Sequence, residues 1–479
     1  MRIEPGARRI RLCRARSIGA APGGDQIGLQ RHFNVSHCPV PKCRAQSTHA
    51  GEGTRSRIID PTGQRNFVGG QDDMNRSVAI TGIGLLSGLG ENANAHWEAL
   101  SRGAPQPVVD GTRFAPNPVH PLGPVDFSTQ VPKKGDLRQM EPWQRIGTFT
   151  AGLALSDAGI AGNLEYLERT DMIVAAGSGE RDTATDMKVL ETISHTDRDH
   201  GDVCPNEILP SNLRPTLFLA QLSNLLAGNI SIVHKVTGSS RTFMGEEMAG
   251  VAAISTATKR IKAGQGDLFL VGGAFNAERE DMLLNFELGG MLAQGPHSSV
   301  WERAAGRKAS GLAPASIGAF LVLEELSHAE KRGAIVYAII EDVVSGRCNR
   351  KPQSATENAR RQLAAIDTDL KSEPFAILSG ASGAEPATSE ELDFLKDVSE
   401  QGTGAAIRGY GTVLGHGVEA HFPVGVALAA LALRNDKFYP PFDQTGVEKE
   451  LANCPDRILV SCWGHWRGEA FALVRKAGS

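Results

Sequence analysis

The stretch Val236–Asn276, VTGSSRTFMGEEMAGVAAISTATKRIKAGQGDLFLVGGAFN, decides how the rest of the chain is read. It opens as a glycine-bounded loop. From Met248 the apolar Val251, Ile254 and Ile261 recur at helical spacing, with alanines between them. Lys259, Arg260 and Lys262 follow at the end of that helix, where cations meet the negative pole of the helix dipole. Gly264 and Gly266 stop it, and Leu268–Val271 forms a short apolar run closed by Gly272 and Gly273. A strand without polar alternation is buried on both faces, so the stretch predicts a layered α/β fold. Glu246 and Glu247 stand at the helix N-terminus, where unpaired N–H groups favour negative charge. An enzyme would place a nucleophile there; here a carboxylate takes the position.

Working outward, 479 residues with 41% hydrophobic and 22% charged can bury a large core and allow two or three domains. A net charge of −4 gives no basic field for nucleic acid. Seven cysteines without the spacing of a disulfide framework suit a reducing, cytoplasmic setting. No run reaches membrane-span length, so no membrane partner is expected. Residues 1–73 differ: they are rich in Arg and Gly, have little apolar periodicity, and hold Cys13, Cys38 and Cys43. Three readings compete for this segment. It is Arg-rich and acid-poor like a targeting peptide but lacks an amphipathic face. His37, Cys38, Cys43 and His49 offer zinc ligands at a non-standard spacing. The preferred reading is a disordered or non-native extension, with Met74 opening the first strand.

From Met74, Val78–Leu86 reads as a strand leading to Gly82-Ile-Gly84. The sixth position of a dinucleotide fingerprint is Ser87 rather than glycine, and no acid-ended second strand follows, so no nucleotide cofactor is expected. Helices are expected over Ala93–Arg102, Trp143–Ala161 and Pro215–Gly228, and a buried strand over Met172–Gly179. The His195–His200 acid-and-histidine run fits no metal template, and a solvated loop is expected; no metal site is assigned. Ala334–Val344 begins a second run of strands and helices.

The elbow stretch resembles that of the β-ketoacyl-acyl-carrier-protein synthases of the KAS I/II type, where Thr-Ala-Cys-x-x-Gly opens a helix running to an Ala-Gly-Gly strand end. By the family's spacing the nucleophilic cysteine falls on Glu247, and Gly250 keeps the glycine after it. The opening Val78-Ala-Ile-Thr-Gly-Ile-Gly84 strand and turn is similar as well. The resemblance covers Met74 to Ala477. It implies a thiolase-like duplicated α-β-α-β-α layered fold with two related halves, residues 74–330 and 331–479.

Family chemistry needs a thiolate to carry the acyl chain and two histidines to hold the malonyl thioester carbonyl. The loop after Phe375–Leu378 places Gly380 at the first histidine position. In Gly411-Thr-Val-Leu-Gly-His416 the second histidine, His416, is retained and the family lysine is replaced by Gly411. Ser316 stands at the family glutamate. In Cys462-Trp-Gly-His-Trp-Arg-Gly-Glu469, Trp466 is assigned the pocket gate, while His465 and His421 are read as packing or surface residues. The resemblance thus implies a non-catalytic homologue, like the chain-length factors that pair with an active ketosynthase and meet an acyl carrier protein. Two alternatives stand beside it: a malonyl-carrier decarboxylase or weakly active synthase, and a homodimeric acyl-chain-binding protein.

Overall fold

The computed structural model describes residues 76–195, 205–213, 217, 221–304, 310–349, 351, 353–366, 374–401 and 405–478. The N-terminal extension with its cysteines, the acid-and-histidine loop at 196–204, and part of the helix expected from Pro215 lie outside them.

Ten strands form one sheet in the order β3-β2-β4-β5-β1-β6-β10-β9-β7-β8. In the first half these are β1 (Val78–Leu86), β2 (Asp171–Ala175), β3 (Ser240–Phe243), β4 (Leu268–Phe275) and β5 (Ile317–Glu325). In the second they are β6 (Ala338–Gly346), β7 (Phe375–Ser379), β8 (Ala406–Gly409), β9 (Arg457–Trp463) and β10 (Glu469–Lys476). Adding five to each strand number of the first half gives the order of the second, read from the opposite edge. The pairings repeat too: β2 lies parallel to β3 and β4 as β7 does to β8 and β9, while β1–β5 and β6–β10 are antiparallel. The halves join through antiparallel β1–β6 pairing from Val78↔Ile340 to Ile80↔Ala338. This is the duplicated thiolase-like architecture.

Two helices occupy equivalent places in the halves, each preceding the strand beside the parallel pair. The elbow helix Glu246–Lys262 packs on β2, β4 and β6, and its counterpart His421–Arg434 packs on β9, β10 and β5. The second helix is buried from His421 through Leu433, as expected of a helix that is apolar all round and fills a central layer. In the elbow helix Val251, Ile254 and Ile261 are fully buried, each contributing about 1.5–3 kcal/mol of apolar transfer.

The sequence reading placed most elements within a few residues. The helix expected over Trp143–Ala161 ends at Asp157, because Gly159 and Gly162 both adopt left-handed backbone. The helix expected over Pro215–Gly228 is a miss at residues 221–224, which form a turn; a helix starts at Leu225, running to His234 with Gly228 inside it and left-handed Lys235 at its end. The loop before the elbow hides an edge strand, β3, whose Ser-Arg-Thr-Phe sequence carries no apolar alternation.

Candidate functional site

The elbow is a tight turn between β3 and the central helix. Gly245 (φ 119°) and Glu246 (φ 51°) both have left-handed backbone, and a non-glycine residue there is strained. The turn swings Glu247 inward, where it is 1% exposed. Gly250, one turn on, is required by space, since a Cβ there would stand 2.5 Å from the Glu419 carbonyl oxygen.

Two histidines from the other half meet Glu247. The His416 backbone is pinned between Ala313 and Ala315, its N–H donating to the Ala313 oxygen (2.8 Å) and its carbonyl accepting from Ala315 (2.9 Å). Gly415 before it has φ 72° and leaves no room for a Cβ, which would lie 2.4 Å from the His120 ring. His416 Nε2 is 2.7 Å from Glu247 Oε1. His465 sits in the β9–β10 hairpin, closed by Gly464 N–H donating to Gly468 O at 2.9 Å. Its Nδ1 is 2.6 Å from the same oxygen, and its backbone N–H donates there at 3.1 Å.

The charges of this cluster follow from its contacts. Burial opposes ionisation of Glu247, but the charge of His465 and hydrogen bonds from both imidazoles outweigh it and hold the carboxyl well below its ordinary range. An ionised carboxylate only accepts, so both facing ring nitrogens carry hydrogen. For His465 burial is likewise outweighed, here by Glu247, and its pKa is raised; His416 remains lowered, because burial dominates. These directions favour a Glu247 carboxylate facing a protonated His465, with His416 neutral. The partners of Glu247 Oε1 are the two imidazoles and the His465 amide, in place of the N–H groups of the helix that Glu247 opens.

At Gly380 no side chain reaches the pocket. His421 lies beside it: Nδ1 accepts from Gly417 N–H (3.2 Å) and Nε2–H donates to the Gly380 carbonyl (3.1 Å). That bonding fixes a neutral tautomer, and burial pushes the ring's pKa well below the usual value. The rings of His416 and His421 are 4.2 Å apart between centroids. Ser316, at the family glutamate position, spends its hydroxyl on Asn276 and the Ala277 N–H. Trp466 is 54% exposed and borders a cavity of about 520 Å³ with Met291, Cys348, Pro386 and Arg467. His465 also borders that cavity and is the lining residue that touches Glu247, so it stands between the two. His465 and His421, read from sequence as packing or surface residues, both belong to the site. The signal for His465 was its place between Gly464 and Gly468 directly after a buried strand.

A third carboxylate approaches from below. Glu419 is buried, and burial raises its pKa from 4.5 to about 7. The folded state therefore holds this proton more tightly than the unfolded chain. Stability is unaffected below the unfolded value, falls as pH rises from about 4.5 to 7, and stays reduced above that. Glu419→Gln is expected to stabilise the protein by up to about 3 kcal/mol at alkaline pH, with most of the gain gone near pH 5. Thermal unfolding across that range checks it, and a gain that grows toward acid pH would contradict it.

The fold is thiolase-like, and its elbow helix opens on the buried carboxylate of Glu247. Residues 75–329 match the family described as "Beta-ketoacyl synthase, N-terminal domain", and the chain belongs to that family. It is 26% identical over 268 residues to 3-oxoacyl-[acyl-carrier-protein] synthase 2 of Vibrio cholerae serotype O1. That match covers 55% of this chain and 61% of the Vibrio protein, under two thirds of its length. With the synthase of the same name from Rhizobium meliloti it shares 25% over 414 residues, covering 79% of this chain and 92% of that one. Among solved structures, "The ishigamide ketosynthase/chain length factor" superposes with a TM-score of 0.68 at 18% identity, over 84% of this chain and all of the other.

Proposed function

We propose that this protein is a non-condensing member of its family that pairs with an active ketosynthase, in the manner of a chain-length factor, during acyl-carrier-protein-dependent fatty-acid or polyketide synthesis in the cytoplasm. One observation carries the reading: the nucleophile position holds an ionised glutamate bonded three times through a single oxygen. A carboxylate so held forms no thioester, and it bars an acyl chain from this subunit's own pocket. Names of relatives support the pathway, and the solved ketosynthase/chain length factor supports the division of labour. In this reading Trp466 stands at the outer edge of the cavity as its gate.

Decarboxylation of malonyl-carrier protein is less well supported. It needs two imidazole donors turned to one thioester oxygen, yet His416 Nε2–H is spent on Glu247 and His421 Nε2–H on Gly380 O. The purified protein is expected neither to elongate an acyl-carrier-protein primer with a malonyl donor nor to release carbon dioxide from it. Glu247→Cys is expected to leave condensation undetectable, because nothing at Gly380 supplies the other donor. Co-purification from the native cell is expected to bring down a ketosynthase that retains its cysteine. Turnover by the isolated Glu247→Cys protein, or recovery of a pure homodimer, would overturn the proposal. Among the described residues no helix is long and apolar enough to cross a membrane.

A further inference from the structure

The sequence reading assigned no metal, yet Glu247, His416 and His465 bring a carboxylate oxygen and two imidazole nitrogens within 4.8 Å of one another, all three buried. We propose that this trio is a binding site for a divalent transition-metal ion, zinc first, built where the family keeps its nucleophile. Two histidines and one glutamate are a donor set that zinc accepts, with a fourth position left for water. The proposal stands independently of which partner subunit the chain binds.

Five observations support it. His416 Nε2 and His465 Nδ1 converge on one oxygen at 2.7 and 2.6 Å, so both rings already aim at a common point; on binding the ion replaces the hydrogens turned there, His465 releasing its Nδ1 proton to solvent and His416 moving its hydrogen to Nδ1. Metal bonds of about 2.0–2.1 Å at tetrahedral angles need ligand atoms roughly 3.3 Å apart, so Glu247 has to retreat by about half an ångström or more. Its other oxygen, Oε2, is fully buried and makes no hydrogen bond among the described residues, which leaves it free to bind. Ligating histidines usually set their second ring nitrogen against a carboxylate, and His465 Nε2 lies 3.9 Å from Glu246 Oε1. Glu246 and Glu247 stand on opposite nitrogens of the His465 ring, so two carboxylates flank it and favour a dication. The cavity against His465 offers a way in.

His416 Nδ1 has no hydrogen-bond partner among the described residues, so its ring is the less firmly oriented of the two. The test uses the full chain, stripped with a chelator and then given zinc or cobalt(II). One zinc per chain is expected to survive desalting and to raise the melting temperature. Bound cobalt(II) is expected to give the visible bands of a four-coordinate ion without a thiolate charge-transfer band. His416→Asn is expected to weaken zinc binding a hundredfold or more. Glu246→Gln, which removes only the outer carboxylate, is expected to weaken it about tenfold, and it keeps the test open if His416→Asn does not fold. A Cys38→Ser/Cys43→Ser protein is expected to bind as the wild type does. No retained zinc, a thiolate band, or binding unchanged by both His416→Asn and Glu246→Gln would overturn the site.

Discussion

At about pH 6, Glu247→Gln is expected to lower stability by about 3 kcal/mol, the usual cost of breaking a buried pair from one side. The glutamine keeps the shape and an oxygen toward both rings, but it loses the charge that holds His465 protonated and places a buried amide N–H pair where Oε2 had no partner. The loss depends on pH in a definite sense. Glu247 has a depressed pKa, so its contribution is present above the unfolded value of 4.5 and fades as pH falls through the folded one. His465 has a raised pKa, so its contribution is complete below 6.5 and fades as pH rises through the folded value. The gap between wild type and mutant is therefore widest from about pH 4.5 to 6.5 and narrows on both sides. Urea unfolding of wild type, Glu247→Gln, His465→Asn and the double mutant measures the coupling directly. A gap independent of pH, or a more stable Glu247→Gln, would show that the carboxylate is not the charged plug of this pocket.

Much of this arrangement was legible in the sequence, and the reason is local. The elbow, the buried strand after it and the helix above it are each written in contiguous residues, through helical spacing, glycine stops and an unalternating apolar run. Glu247 and Gly380 were singled out because the family resemblance counts each from such an anchor, and of the two Glu247 lies at the centre of the buried cluster. His465 and His421 were not, since their roles depend on partners 218 and 41 residues away in the chain. A histidine between two glycines and one at a helix start carry no periodicity to read. The duplication was expected through the family resemblance alone, since the halves share strand order and pairing, which depend on long-range hydrogen bonds and leave no repeat in composition. Strand β3 escaped because an edge strand of polar residues looks like a loop until its parallel partner is known.

Gly380→His, the substitution that would rebuild the family's first histidine, is expected to cost about 3 kcal/mol or more through overpacking. A Cβ at that position would stand 2.8 Å from Tyr410 Oη, 3.0 Å from the Ser461 carbonyl oxygen and 3.3 Å from His421 Cδ2. The backbone has little freedom to withdraw, because Gly380 N–H donates to Ser461 O at 2.9 Å and its carbonyl accepts from His421. Tyr410 is held in turn, its hydroxyl donating to the His421 carbonyl at 3.0 Å. The space beside Gly380 is thus occupied by Tyr410 and His421. Gly411, at the family lysine, is similarly confined, with a Cβ there 2.9 Å from Ala381 O. Removing one obstruction tests this: His421→Ala is expected to recover part of the stability lost in Gly380→His, with a coupling of about 1 kcal/mol or more in the cycle. Even with Glu247→Cys added, stability is expected to fall before any condensation appears, since neighbouring atoms leave no room for a side chain at Gly380 or Gly411. A Gly380→His protein as stable as the wild type would show that room for the second donor persists, and would reopen the case for an active synthase.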